Sequence, residues 1–376
     1  MTRSPQPTPP NAPQPTLRVA EIMQYFDVGG IESLVSRLAV QSRPYGVEML
    51  VIAYLGDGPL RQQLNDAGVQ TLLLPGAGGI QPQRIWQLRA ALRRFGADVV
   101  HTHHLGPLLY GGLAARSLGV PIVHTEHSVE WAERPRLRLL AALASHGVTV
   151  TAVSEAVAQA RQTHVPPPVQ VVDNGVPVRE RVPAMREAVR AELGLPLDAP
   201  VIGCVARLAA EKNHALLIAA FAQVLAARPD AHLLLIGDGP ERARLEQQAA
   251  ACGGNVHFLG LRQDVGRLLQ AMDMMALASE REGQPLALLE GMGAALPVVA
   301  TAVGGVPLLL RDGAGTLVPA GDMTAMAEGL LALVTRPELA RSMGDTGQAL
   351  VARKYSETAM LQHYLRIWRQ AAQGAA

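Results

Sequence analysis

The chain has 376 residues, long for one hydrophobic core and comfortable for two domains of ordinary size. Its 33 Lys plus Arg against 32 Asp plus Glu leave a net charge of +1, so no global field draws in nucleic acid or an anionic membrane, and any anion site is local. Cys204 and Cys252 lack metal-type spacing, and Cys204 lies inside the apolar run VIGCVA; this argues against a disulfide framework or a zinc site and fits a reducing interior.

Residues 1–16, MTRSPQPTPPNAPQPT, are Pro-rich and lack the apolar core of a signal peptide, so a disordered tail is expected. No apolar run reaches the roughly 20 residues needed to span a bilayer, and the expected location is cytoplasmic. From Leu17 onward LRVAEIM, VEMLVIAYL, VQTLLL, ADVVHTH, VPIVHT and GVTVTAVS read as strands separated by amphipathic segments, an alternation that means a parallel sheet. The pattern restarts with VIGCVARL, AHLLLIGDG, NVHFLG, DMMALAS, LPVVAT and GTLVPA, with helix-length stretches such as His214–Arg228 and Glu241–Ala251 between them. Residues 17–180 and 200–355 are thus expected as two Rossmann-like α/β domains. Residues 181–199, rich in Pro and charge, form the expected linker, and 356–376 an isolated amphipathic helix.

Residues 279–305, SEREGQPLALLEGMGAALPVVATAVGG, carry the most information. A loop leaves the strand before them, Pro285 can sit in a first helical turn, and Leu286, Leu288, Leu289 and Met292 supply a buried stripe. Glu282 then precedes the helix and Glu290 lies in its second turn. Each ionised carboxylate can hold a pair of neighbouring hydroxyls, while the helix N-terminus between them favours an anion. The arrangement reads as a cradle for a sugar nucleotide, although two exposed acids on an ordinary loop would look alike.

Other candidates stand at strand ends. Arg207 and Lys212, in VARLAAEKNH, follow the first strand of the second half, where open parallel sheets bind ligands, and two fixed cations there suit a diphosphate. Gly29 and Gly30, in FDVGG, make either a tight turn or a close backbone approach to phosphate. His101, His103 and His104 in HTHH, with His127 in TEHS, end two strands; the alternation sends His101 and His103 to one side, and no acid or Cys completes a zinc set at typical spacing. No Asp-x-Asp pair occurs, so no metal is expected to hold the nucleotide. In residues 131–145 Arg134, Arg136 and Arg138 lie beside leucines, either an ordinary surface helix or a weak contact with anionic lipid.

The segment with Glu282 and Glu290, followed by PVVAT and GG, resembles the retaining, nucleotide-sugar-dependent glycosyltransferases of family four, and the resemblance covers roughly residues 17–360. It implies the GT-B fold, two Rossmann-like domains with parallel sheets facing an interdomain cleft, the first binding acceptor and the second the donor, with the last helix crossing back to the first. By residue, it implies catalytic roles for His127, Arg207, Lys212 and Glu282. Donor contacts would come from Gly29, Gly30, Arg207, Lys212, Gly237, Leu261, Arg262, Glu282, Gly283, Gln284, Pro285, Leu286 and Glu290, and acceptor-side contacts from His103, His127 and Asn174. Two departures stand out: Pro177 replaces the acid that usually follows the Asn174-Gly175 motif, and Gln284-Pro285 replaces an aromatic residue and Gly.

The resemblance implies transfer of a hexose-type sugar from a nucleotide sugar such as a UDP-sugar to a glycan or lipid-linked acceptor, in polysaccharide or glycolipid biosynthesis. No cofactor and no nucleic-acid partner are expected, and any membrane association is peripheral. Lys212→Ala or Glu282→Ala is expected to abolish turnover and spare the fold. The competing readings are a non-catalytic sugar-nucleotide-binding subunit, a GT-B nucleotide-sugar epimerase or a phosphorylase. A dinucleotide-dependent dehydrogenase lacks its complete G-x-G-x-x-G fingerprint.

Overall fold

The computed structural model describes residues 16–27, 29–74, 76, 79–128, 130–163 and 169–374. All but Thr16 of the expected tail, and Val28 of the FDVGG loop, lie outside the described residues. The chain divides into two compact units, Met1–Val172 with Met360–Ala376, and Asp173–Ala359.

In the first unit the strands are β1 (Leu17–Tyr25), β2 (Val47–Gly56), β3 (Gln70–Leu73), β4 (Val99–His103), β5 (Ile122–Glu126), β6 (Thr149–Ala152) and β7 (Gln170–Val171). They form one parallel sheet in the order β3-β2-β1-β4-β5-β6-β7. In the second unit β8 (Val201–Val205), β9 (His232–Ile236), β10 (Val256–Gly260), β11 (Met274–Leu277), β12 (Val298–Thr301) and β13 (Thr316–Val318) form another, ordered β10-β9-β8-β11-β12-β13 and also parallel. Every run expected as a strand becomes one; β7, two residues long, is too short to show a pattern. Helices cover both faces of such sheets, which is why the strands read as continuous apolar runs rather than alternating ones. In each sheet the strand order reverses once, between β1 and β4 and between β8 and β11. At such a point the connections diverge and leave a crevice beyond the strand C-termini.

One face of the first sheet is polar although buried. Strand register sets Glu21 beside His101, His103 beside Thr125 and Thr125 beside Thr151, and all five are 0 % exposed. Residues from Met360 onward group with this unit, in the helix Glu357–Gly374, whose Met360, Leu361, Tyr364, Leu365, Ile367 and Trp368 make a buried stripe at helical spacing. The Tyr364 hydroxyl lies 3.0 Å from Thr125 Oγ1, and Trp368 stacks on Tyr364 and stands edge-on to His101.

The stretch 181–199 is no linker, which corrects the boundary expected from its prolines and charges. It carries the helix Pro183–Glu192 and belongs to the second unit. Arg190, fully buried, donates to the carbonyls of Ala271, Pro196, Leu197 and Ala199 and pairs with Asp273 at 2.7 Å. Val182 N–H donates to Gln270. Charge that looks solvated in sequence is consumed by backbone carbonyls. No described helix is long and apolar enough to cross a membrane.

Because Trp368 is fully buried across the polar strands, Trp368→Ala should cost about 3–5 kcal/mol, the range for emptying a large aromatic site. Urea denaturation followed by circular dichroism measures it, and an unchanged midpoint would place that helix outside the cooperative unit.

Candidate functional site

The second unit gathers its candidates at one sheet edge. Arg207 and Lys212 follow β8, Gly237 follows β9, Leu261 and Arg262 follow β10, and Glu282, Gly283, Gln284, Pro285 and Leu286 follow β11. These are the C-terminal ends of adjacent strands, and the β8 and β11 loops flank the reversal of strand order. Glu290 lies in the helix Leu286–Gly293, with Pro285 as its N-cap rather than inside its first turn.

These loops are locked together by backbone. Leu208 N–H donates to Asp238 O, Glu241 N–H to Leu208 O, and Glu280 N–H to Glu211 O. Glycine is required at two of the contacts. Gly237 has φ +139° and a Cβ there would lie 2.1 Å from Ala206 O; Gly304, with φ +52°, comes so close to Glu282 O that a Cβ would lie 1.7 Å away. Gly305 N–H then donates to Gly283 O, so the VGG turn after β12 holds the Glu282 loop from behind.

Lys212 Nζ donates to Glu282 Oε1 at 2.8 Å, and Ser279 Oγ donates to the same oxygen at 2.6 Å. Ser279 is positioned in turn by Thr301, whose hydroxyl donates to its carbonyl. The Glu282 side chain is 8 % exposed and that of Lys212 23 %. The two were expected to serve separate parts of a ligand; here each is the other's counter-ion, because a carboxylate that buried needs a donor. Removing Lys212 leaves the nearly buried Glu282 with Ser279 as a donor but without its counter-ion, so a stability cost is expected beside any loss of turnover. Arg207 is 67 % exposed and pairs with Glu211 one turn on.

Gln284 and Asn174 also come together. Asn174 N–H donates to Gln284 Oε1 at 2.8 Å, and Gln284 Nε2 donates to Asp173. Asn174 lies in the second unit, not the first as expected, and both are buried. The departure at Gln284 is therefore a staple for the 173–174 turn, and its amide is not turned to a ligand. Arg262 makes a bidentate pair with Asp264, and Leu261 is 56 % exposed.

In the first unit Gly29 is the N-cap of the helix Gly30–Ser42, and Ser33 N–H donates to its carbonyl. The Glu32 carboxyl folds back until a Cβ on Gly29 would lie 2.2 Å from Oε2. An acid stands where a phosphate was expected. Burial pushes the Glu32 carboxyl up, and Asp27 adds to the rise.

The histidines cluster as anticipated, but around a residue whose role the strand pattern concealed. Glu21, in the middle of β1, lies 2.9 Å from His101 Nδ1 through one oxygen and 2.9 Å from His103 Nε2 through the other. His103 Nδ1 lies 2.9 Å from His127 Nε2, and His101 Nε2 2.7 Å from Thr125. The signal was present: an acid inside the apolar run LRVAEIM needs buried donors. The missing acid does therefore exist, and ligand atoms of Glu21, His101 and His103 lie within 4.8 Å of one another. His103 is fully buried, which corrects its expected place as a direct acceptor contact; among Glu21, His101, His103 and His127, only His127 is partly exposed.

Burial pushes the Glu21 carboxyl up, but the hydrogen bonds and charges of His101 and His103 together outweigh it and hold the group at about 2. Burial, then repulsion from His101, lowers His103 to about 4 against the opposing pull of Glu21. Burial lowers His127 well below the usual histidine range. His214, next to Lys212 and Asn213, is 2 % exposed with neither ring nitrogen hydrogen-bonded, and burial followed by the Lys212 charge lowers it to about 4.

These shifts give stability a definite pH dependence. Neutral His103 and His214 stabilise the fold fully above about pH 6.5, and that share is lost as pH falls to about 4; the Glu21 share is lost between about 4.5 and 2. The urea midpoint should fall between pH 7.5 and 5, and His214→Phe should narrow the drop. A midpoint indifferent to pH over that interval would show that these groups bind protons equally in the folded and unfolded states.

Comparison with known proteins agrees with this layout. Residues 28–180 match the family model described as Glycosyltransferase Family 4, and residues 185–350 the model described as Glycosyl transferases group 1. A D-inositol 3-phosphate glycosyltransferase of Segniliparus rotundus is 30% identical over 303 residues, 74% of this chain and 67% of that one. A GDP-mannose-dependent monoacylated alpha-(1-6)-phosphatidylinositol monomannoside mannosyltransferase of Corynebacterium glutamicum is 34% identical over 202 residues, 50% of this chain and 53% of that one. Among solved structures, Anabaena HepE in complex with UDP-glucose superposes with a TM-score of 0.84 at 21% identity, covering 94% of this chain and 100% of that one.

Proposed function

Because the chain belongs to glycosyltransferase family four and has the GT-B fold of that family, we propose that it moves a hexose-type sugar from a nucleoside diphosphate to an acceptor hydroxyl with retention of anomeric configuration. The observation that carries the reading is the Lys212–Glu282 pair at the point where the strand order of the second sheet reverses. It stores a cation and a hydroxyl-binding carboxylate in one contact.

A diphosphate bound there replaces Glu282 as the partner of Lys212, and Arg207, exposed beside it, supplies the planar donor fork that a phosphate takes best. Glu282, still held by Ser279, then turns its remaining acceptor capacity to sugar hydroxyls. Glu290, eight positions further on in the second turn of the helix Leu286–Gly293, does the same. In the chemical step the bond between the anomeric carbon and the phosphate oxygen breaks and its electron pair leaves with the diphosphate. The acceptor oxygen bonds to the same carbon, and its proton passes to the departing phosphate oxygen. Lys212 and Arg207 stabilise the charge that develops on that oxygen, and fixed charges aimed at a developing charge usually accelerate a reaction more than any other device of an active site. His127, directly after β5 in the first unit, is proposed as a group that faces a substrate hydroxyl.

The relatives named above differ in nucleotide and acceptor, so we propose only the class: a nucleoside-diphosphate hexose as donor and a glycan or lipid-linked hydroxyl as acceptor. The pair makes a sharp test. Lys212→Ala and Glu282→Gln should each lower kcat for donor hydrolysis or transfer by about 10²–10³. The double variant, which leaves no stranded charge, should recover stability lost in Lys212→Ala without recovering turnover. Turnover near that of the unaltered protein in the double variant would remove the pair from the reaction.

We further propose that the helix Pro135–Ala144 rests on an anionic lipid surface. Leu139 and Leu143 are 63% and 65% exposed, Leu140 is exposed beside them, and Arg134 and Arg136 are exposed at the other end. Co-sedimentation with anionic vesicles should exceed that with neutral ones and fall several-fold in Leu139→Ser/Leu143→Ser; equal binding by both proteins would refute it.

A further inference from the structure

We propose that Glu21 is a positioning residue that acts through His103 to fix which ring nitrogen of His127 carries the proton, leaving His127 Nδ1 as a hydrogen-bond acceptor for a substrate hydroxyl. This rests on the reading of His127 as a substrate-facing group, but the proton arrangement itself is independent of that reading.

Counting protons along the chain of contacts fixes the arrangement. Glu21 is 0% exposed and is met through each oxygen by a histidine nitrogen at 2.9 Å. An ionised carboxylate only accepts, so His103 must present Nε2–H to it. A neutral imidazole has one N–H, so His103 Nδ1 is then a bare lone pair. The 2.9 Å contact from that nitrogen to His127 Nε2 is a hydrogen bond only if His127 donates, which places the His127 proton on Nε2. Neutral His127 therefore shows Nδ1 without a proton. The low protonation tendencies of His103 and His127 agree with both rings being neutral.

The architecture keeps this direction from reversing. Glu21 is on β1 and His103 on β4, adjacent parallel strands of the first sheet, while His127 begins the loop directly after β5. His101 occupies the second oxygen of Glu21, and its far nitrogen is tied to Thr125, so the carboxylate has no freedom to turn away from His103. The chemical consequence is selective. An imidazole offering a lone pair accepts from a hydroxyl and repels a phosphate oxygen, so His127 recognises the sugar or the acceptor and not the diphosphate. Glu21 and His103 touch no substrate. Their role resembles that of the outer partners that orient a catalytic or metal-bound histidine.

Long-range proton–nitrogen NMR on protein labelled with 15N-histidine reads the tautomer directly, without substrate. We expect His103 and His127 of the unaltered protein at neutral pH both as Nε2–H forms. Glu21→Gln, whose amide offers a donor as well as an acceptor, should give a mixture or the Nδ1–H form at His127. The same variant should lower kcat by about 10–100-fold with the donor KM within about twofold, the usual weight of an orienting partner. Glu21→Asp, which keeps the carboxylate, should restore the Nε2–H form at least in part. Finding His127 protonated on Nδ1 in the unaltered protein would overturn the proposal, as would stoichiometric zinc in the purified protein, which would make Glu21, His101 and His103 a metal site. Should Glu21→Gln not fold, the tautomer of the unaltered protein decides alone. If His127→Ala turns over normally while the tautomers are as expected, the relay stands and the substrate-facing reading of His127 falls.

Discussion

A carboxylate removed from water has to be met by donors, and the two candidate regions of this chain are both organised around that requirement. In the second unit Glu282 is met by Lys212 and Ser279; in the first, Glu21 is met by His101 and His103. The two solutions differ in kind. Lys212 is partly exposed, and its partner Glu282 is nearly enclosed. His101 and His103 are fully buried, each held against one oxygen of Glu21.

Strand order places both. A parallel sheet that starts in its middle and grows first to one side and then to the other leaves a gap between the departing connections at its C-terminal edge. In the second unit that gap falls between the β8 and β11 loops, which carry the Lys212 and Glu282 ends of the ion pair. In the first it falls between β1 and β4, the strands that carry Glu21 and His103. The close approach of Gly304 to the Glu282 carbonyl shows how little slack the second arrangement has.

Much of this was legible in sequence, and the rest was hidden for physical reasons. Apolar runs of parallel strands are the strongest local pattern a chain can carry, so the strands of both sheets other than β7 could be read, and residues at their ends followed. What pairing does to those residues was not legible. Lys212 and Glu282 are 70 positions apart, and nothing local announces that they neutralise one another. Gln284 looked like a changed ligand contact and proved to be a brace, because its partners at 173 and 174 are over a hundred residues away. The 181–199 stretch misled because nothing local shows that Arg190 is satisfied by backbone carbonyls and by Asp273, 83 residues further on. Glu21 was visible as an anomaly, an acid in a strand with no polar neighbours, and reading it needed only the question of what would donate to it.

The helix Glu357–Gly374 carries a last consequence, for the order of events during synthesis. Tyr364 and Trp368 cover the polar strands laid down in the opening third of the chain, so the ribosome finishes those strands long before their cover exists. Until then Glu21, His101 and Thr125 lie on an open surface where water competes for each hydrogen bond. That face of the first unit is sealed only once Tyr364 and Trp368 have been made, well after the strands they cover.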